Sequence, residues 1–318
     1  MANYVKVSTI GPRPPAVDTD VPLERTVEQV IAHWRGRFAQ VLPDRPDLIV
    51  VPEVCDRPAN YPREKMKDYY LARGDRVLDL FREVACANGC YVTYPAAGQV
   101  ESDGTWRNSV RIIDRSGEVA GTYNKNHLVP REHDEFGLLY GRDAPLIQCD
   151  FGRVACAICF DLNFDELRLK YAAAKPDLII FCSMYHGGLM QAYWGYLCRC
   201  HFVGGIAGPP SAIISPIGQT LASTTNYFDF VTATVNLDCC VAHLDENGER
   251  LRAMKRKYGP KVRITDPGHL GAVLISSETD ERTVREVVDE FEVELLDHYF
   301  ERCLAHRQSP GHIEPPGR

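Results

Sequence analysis

Apolar residues change their period several times along this chain, and each change marks an element. Tyr4-Val5-Lys6-Val7-Ser8-Thr9-Ile10 reads as a first strand. Over residues 22–41 the period becomes helical, with Val27, Val30, Ile31, Trp34, Phe38 and Val41 on one stripe. Asp47-Leu48-Ile49-Val50-Val51-Pro52-Glu53 is an apolar run, β-branched in its second half, that ends on a carboxylate. Residues 56–62 are rich in Pro, Asn, Tyr and Arg and follow that strand end directly, so Asn60 and Tyr61 are candidate pocket residues. A second helix is expected over 75–88, stopped by Gly89. Strands over 91–95 and 109–113 flank a turn at Ser102-Asp103-Gly104, and Asp114-Arg115-Ser116-Gly117 turns the chain into the strand that reaches Lys125.

Residues 130–142 are charged with aromatic punctuation and too irregular for a regular element. Gly152-Arg153-Val154-Ala155-Cys156-Ala157-Ile158 predicts a short buried strand that delivers Cys159 to a strand-to-helix turn. A helix over 164–174, a strand over 177–182, a helix containing Trp194 and Arg199, a hairpin over 211–222 and a strand over 231–236 complete the body. Alternating strands and helices, followed by hairpins, predict an α/β sandwich of two mixed β-sheets with helices outside. Apolar positions Val284, Val287, Val288, Phe291, Leu295, Leu296 and Tyr299 predict one long helix over 280–304, and the Pro- and Gly-rich residues 308–318 a disordered tail. The expected organisation is one domain over 1–277, with a C-terminal helix and flexible tail over 278–318.

Composition narrows the class. At 318 residues and 45% hydrophobic, the chain is long enough for a sizeable core, and its formal charge of −7 argues against a nucleic-acid or anionic-membrane surface. The basic run over 250–261 reads as a solvated segment. Neither a leader peptide nor a bilayer-length apolar run is visible. The twelve cysteines lie inside strand and helix patterns, which points to free thiols and a cytoplasmic protein.

Candidate chemistry begins with Cys159. A thiol at such a turn faces outward N–H groups, and a following helix start favours the thiolate. Singly, the ordinary readings are strong: cysteines are commonly buried, and Glu53 or Lys125 taken alone reads as a surface charge. Together they differ, because three strands deliver a carboxylate, an ammonium and a thiol at C-terminal ends that share one mouth in layered α/β folds. A base, a cation and a thiol are the groups needed to attack a carbonyl carbon and hold its oxyanion. Cys156 and Cys159 also form a CxxC pair, but along a strand their odd separation puts them on opposite faces, against a metal or redox role. Cys198, Cys200 and His201 lack a second pair at zinc spacing, and no metal or other cofactor is expected. His127, Tyr185, His186 and Trp194 lie near the strand ends in sequence, with Tyr185 and His186 the candidate pocket residues among them and packing the default for Trp194.

The order Glu … Lys … Cys, with Val-Pro-Glu, Tyr-Asn-Lys-Asn-His-Leu and Ile-Cys-Phe-Asp around it, resembles the nitrilase superfamily of carbon–nitrogen hydrolases, from the first strand to the hairpin near 211–218. The resemblance implies a four-layer αββα sandwich, Cys159 as nucleophile, Glu53 as general base, and an oxyanion site between Lys125 and the Phe160 N–H. It also implies a second glutamate beside the lysine, matched by Glu135 with Glu132 as the alternative. Asp161, two residues after the cysteine, favours the amidase and carbamoyl branch over nitrilases, which commonly carry Trp-Glu there. Two departures stand out: Asn163 and Asp165 replace an arginine and a proline, leaving Arg131 or Arg168 to replace the lost arginine, and the helix ending around Arg199 runs into His201-Phe202-Val203-Gly204-Gly205. The activity implied is hydrolysis of a small linear amide or N-carbamoyl compound through a thioester, with a homodimer or higher homo-oligomer expected. A nitrile hydrolase and a non-catalytic binding or assembly scaffold are the competing readings.

Overall fold

The computed structural model describes residues 1–100, 102–208 and 210–314. The chain forms two compact units: Val5–Val235, and a smaller one made of Met1–Tyr4 with residues from Asn236 onward. In the larger unit, one six-stranded sheet has the order Phe230–Asn236, Tyr4–Ile10, Leu48–Val50, Tyr91–Gln99, Trp106–Ile113, Val119–Asn124. Tyr4–Ile10, Leu48–Val50 and Tyr91–Gln99 run parallel, and the strands after them are antiparallel. The second sheet has the order Thr220–Ser223, Ala212–Ile214, His201–Ile206, Leu178–Ser183, Gly152–Ile158, Ile147–Cys149, with three parallel strands between antiparallel edges.

Central strands buried on both faces explain the uninterrupted apolar runs of Leu48–Val50 and Leu178–Ser183. Helices Leu23–Val41 and Arg76–Asn88 bury Trp34, Phe38 and Phe81 in one aromatic cluster with Tyr94 of the first sheet. Helices Asp165–Ala174 and Met190–Cys198 accompany the second sheet, with Tyr171 and Trp194 packed edge to face. The result is the expected αββα sandwich.

Sheets normally stack about 10 Å apart, and here glycines bring two strands closer. A Cβ on Gly205 would lie 2.8 Å from the Val51 carbonyl oxygen, two residues before Glu53. Beside it, the Thr9 hydroxyl donates to the Gly204 carbonyl at 2.8 Å across the sheets. The departure at 201–205 thus belongs to the contact between sheets.

The smaller unit is a three-stranded antiparallel sheet, ordered Cys239–His243, Ala272–Ser277, Val262–Thr265, with its own core around Met254, Val273, Ile275 and Val287. Two expectations change here. The basic run is the helix Gly248–Tyr258, which buries Leu251 and Met254 under a charged outer face. The single helix expected over 280–304 is two, Val284–Glu290 and Leu296–Arg307. The break follows Glu292, whose φ of +51° leaves the helical region and lets Val293 fold back into the core. Residues 315–318, the end of the tail expected to be disordered, lie outside the described residues. Among the described residues, no helix is long and apolar enough to cross a membrane.

Candidate active site

Glu53, Lys125 and Cys159 meet in one cleft of about 380 Å³ in the larger unit. Each stands just past a strand of one of the two sheets: Leu48–Val50, Val119–Asn124 and Gly152–Ile158. The backbone turns sharply at two of these ends, with φ +48° at Cys159 and +42° at Val54. Left-handed geometry at non-glycine residues costs on the order of 1–3 kcal/mol and persists where surrounding structure imposes it.

Asp161 supplies part of that imposition. Its buried carboxylate accepts hydrogen bonds from Ile158 N–H (2.9 Å), the Tyr123 hydroxyl (2.7 Å) and His127 N–H (2.8 Å), with His127 Nδ1 at 3.0 Å. The His127 ring stacks on Phe164 at 4.0 Å. One carboxylate therefore ties the turn bearing Cys159 to the loop bearing Lys125. The residue that sequence reading used to separate amidases from nitrilases holds the two halves of the site together.

Lys125, 1% exposed, donates from Nζ to Glu53 Oε1 and to Glu132 Oε2, both at 2.8 Å. Of the two glutamates considered beside the lysine, Glu132 therefore makes the contact. Glu135 points outward, with Arg63 at 4.0 Å. The reason is local: residues 130–142 open with the short helix Pro130–Asp134, which turns Glu132 inward, where its Oε2 also accepts from Val129 N–H at 2.8 Å. Asn108 completes the network, donating from Nδ2 to Glu53 Oε1 at 2.8 Å and to Glu132 Oε1 at 3.0 Å. Sequence reading missed Asn108 because it began the strand at Ser109, whereas the strand is Trp106–Ile113. The available signal was the alternation Asn108-Val110-Ile112, which carries the inward face one step further back.

Burial by itself raises the Glu53 carboxyl, but the charge of Lys125 and hydrogen bonds from Lys125, Asn108 and Cys159 outweigh it and hold the group below the usual carboxylate range. Lys125 is the converse: burial opposes its charge, and Glu53 and Glu132 more than restore it. Cys159 is pushed up to about 12, first by burial and then by the Glu53 charge, against the opposing pull of Lys125 and a hydrogen bond from the Met184 backbone. Burial and the Glu53 charge thus favour the neutral thiol at Cys159, while Lys125 favours the ionised form of Glu53. This differs from the thiolate expected at a helix start. Cys159–Asn163 is a 3₁₀ turn, and the α-helix begins only at Asp165.

The remaining expectations separate. Tyr61 lines the cleft. Asn60 is turned away, exchanging hydrogen bonds with the Val17 backbone at 2.7 and 2.9 Å. Tyr185 accepts from Asn163 Nδ2 at 3.0 Å, and His186 Nδ1 accepts from Gly188 N–H at 3.1 Å. Phe160 sets its ring edge to face on Phe164. Arg131 lines the cleft, while Arg168 is held by Asp165 at 2.9 Å and lies over Tyr193. All twelve cysteines are free. Among the described residues, no group of three or more His, Cys, Asp or Glu side chains is placed to hold a metal ion.

A four-layer sandwich with a thiol, a carboxylate and an ammonium converging between its strand ends defines a class, and residues 22–242 match the Carbon-nitrogen hydrolase family. The chain belongs to that family. Among similar proteins, deaminated glutathione amidase of Mus musculus is 25% identical over 170 residues, covering 49% of this chain and 52% of that protein. The chloroplastic omega-amidase of Arabidopsis thaliana is 21% identical over 183 residues, covering 50% of this chain and 48% of its own length. The chain spans about half the length of the curated relatives it matches. An amidase from Nesterenkonia sp. superimposes with a TM-score of 0.62 at 16% identity, covering 78% of this chain and 95% of that one, which is a likeness of fold.

Proposed function

We propose that the chain hydrolyses the C–N bond of a small linear amide or N-carbamoyl compound through a thioester on Cys159, releasing ammonia or an amine. The observation that carries this reading is the convergence of Cys159, Glu53 and Lys125 on one cleft, with Lys125 Nζ 2.8 Å from Glu53 Oε1. The amide bond resists water because resonance weakens its carbon as an electrophile and its nitrogen as a leaving group. Two steps through a covalent intermediate divide that barrier. Glu53 takes the thiol proton as sulfur attacks the carbonyl carbon, then passes it to the departing nitrogen. The oxyanion faces the Lys125 ammonium and the Phe160 N–H, and each such donor is worth roughly 3 kcal/mol in the transition state. Glu53 then removes a proton from water, which cleaves the thioester and restores the thiol. Glu132 and Asn108 act through Lys125 and Glu53 by fixing their positions. Family membership and the similarity to amidases support the reading.

The test is a panel of linear amides, N-carbamoyl compounds and nitriles scored for ammonia release, with intact mass recorded under quenched turnover. A substrate-dependent acyl mass that disappears in Cys159→Ala is the expected result. Turnover confined to nitriles would move the substrate assignment to a nitrile hydrolase. Absence of both turnover and adduct across the panel would favour a scaffold.

A further inference from the structure

We propose that Asp56, held by Arg73 and Tyr94, is a positioning residue for Glu53: it fixes the turn after Glu53 and so aims that carboxylate at Lys125 and Cys159. The inference deepens the hydrolase reading and rests on it for Glu53 as the base. It begins from buried charge that the mechanism leaves unused. Asp56 and Arg73 are 0% and 5% exposed, and Arg73 Nη1 donates to Asp56 Oδ2 and to the Ala97 carbonyl, the latter at 3.1 Å. The Tyr94 hydroxyl donates to the same Oδ2 at 2.6 Å. Asp56 Oδ1 is buried and accepts no hydrogen bond among the described residues. A buried ion pair repays its desolvation only with good geometry and satisfied lone pairs. This one is therefore poorly accounted for by stability, and well by the specification of one backbone conformation.

That conformation belongs to the segment that carries Glu53. Val54 has φ +42°, left-handed geometry that a β-branched residue adopts only under constraint. The Arg57 N–H closes the turn on the Val54 carbonyl at 2.9 Å. Cys55 donates its N–H to the Pro95 carbonyl at 2.9 Å and accepts from Trp34 Nε1 at 2.8 Å, and the Asp56 carbonyl accepts from the Tyr69 hydroxyl at 2.7 Å. These bonds anchor the turn's backbone to the strand Tyr91–Gln99 and to the helices Leu23–Val41 and Met66–Arg73. The Asp56 carboxylate ties that strand to the second helix, because Tyr94 lies in one and Arg73 ends the other. Asp56 and Arg73 stand behind the cleft wall, to which the same segments contribute Val54, Arg57, Tyr70 and Ala97. Glu53 meets Lys125 at 2.8 Å. A reacting group displaced by about 1 Å loses about a hundred-fold in rate.

A full-length variant in which the whole network becomes apolar, Asp56→Leu with Arg73→Met and Tyr94→Phe, separates positioning from stability. It should melt within about five degrees of the intact protein. Its kcat should nevertheless fall about 10- to 100-fold, with KM held within about three-fold. A folded triple variant whose kcat lies within about two-fold of the intact protein overturns the inference. Tyr94→Phe alone keeps the ring and removes one hydrogen bond, so it should fold and lower kcat about three- to ten-fold. It decides the matter if the triple variant does not fold, and a kcat within about 1.5-fold then overturns the inference. A second readout needs no turnover: iodoacetamide labelling of Cys159 at about pH 8, read by peptide mass. Burial and then the Glu53 charge raise that thiol. Glu53→Gln should therefore label about ten-fold faster than the intact protein, and the triple variant should approach that rate. Cys55, buried beside Asp56, should stay as slow as in the intact protein. Labelling of Cys159 that is unchanged in the folded triple variant, or raised only together with Cys55, overturns the inference. If labelling shifts as expected but the intact protein turns over no amide, the hydrolase reading fails while the positioning of Glu53 stands.

Discussion

Replacing Glu132 by glutamine removes one of the two carboxylates that hold Lys125 while keeping the side chain's volume. In the intact site Glu132 accepts from Lys125 Nζ at 2.8 Å, from Val129 N–H at 2.8 Å and from Asn108 Nδ2 at 3.0 Å. A glutamine has one acceptor oxygen for these three donors, and its NH₂ must face one of them. A hydrogen bond to a charged group is worth about 1.5–3 kcal/mol, and a factor of ten in rate corresponds to about 1.4 kcal/mol. Glu132→Gln should therefore lower kcat/KM about 10- to 100-fold. Glu135 is 48% exposed at its side chain with Arg63 at 4.0 Å, so Glu135→Gln should stay within about two-fold, as expected for a weak surface pair. The assay is kcat/KM from ammonia release on the best amide of the panel, with a thermal melt of each variant to separate loss of fold from loss of alignment. The reasoning is refuted if Glu135→Gln loses more activity than Glu132→Gln. It is equally refuted if Glu132→Gln keeps more than half the original kcat/KM.

Further outcomes follow from the same structure. Because the Cys159 thiol is raised to about 12, its thiolate fraction should rise roughly ten-fold per pH unit from pH 6 to 9, and iodoacetamide labelling there should climb without a plateau. Turnover should not follow that slope, since in the proposed mechanism Glu53 removes the proton during attack. Its lowered carboxyl means that kcat/KM falls only as pH drops below the ordinary carboxylate range. A labelling plateau near neutral pH would show a preformed thiolate and contradict this protonation state. Gly205→Ala places a Cβ 2.8 Å from the Val51 carbonyl oxygen, so it should destabilise by about 1–3 kcal/mol and lower the melting temperature by several degrees. Gly36→Ala, on an exposed helix position with open space around it, should stabilise by about 0.5–1 kcal/mol in the same melt. Equal melting temperatures for the two variants would remove the argument for a close contact between sheets.

Local pattern carried the strands that end at Glu53, Lys125 and Cys159, because an apolar run bounded by a charged or reactive residue has few places to go but a buried strand end. It also carried the two-sheet sandwich, since the run lengths and their alternation with helical stripes leave few layer arrangements. Three things were beyond it. Glu132 and Glu135 are indistinguishable by spacing, and only the turn of the Pro130–Asp134 helix aims one of them at Lys125. Asn108 acquires meaning only when its strand places it between two carboxylates that lie 55 residues before and 24 residues after it. The protonation state of Cys159 follows from burial and a neighbouring charge, quantities that exist only after the chain has folded. Sequence determined which groups arrive at the cleft, because hydrophobic periodicity is a local property. Tertiary structure decided which of them touch and which carry charge, because distance and desolvation depend on segments far apart along the chain.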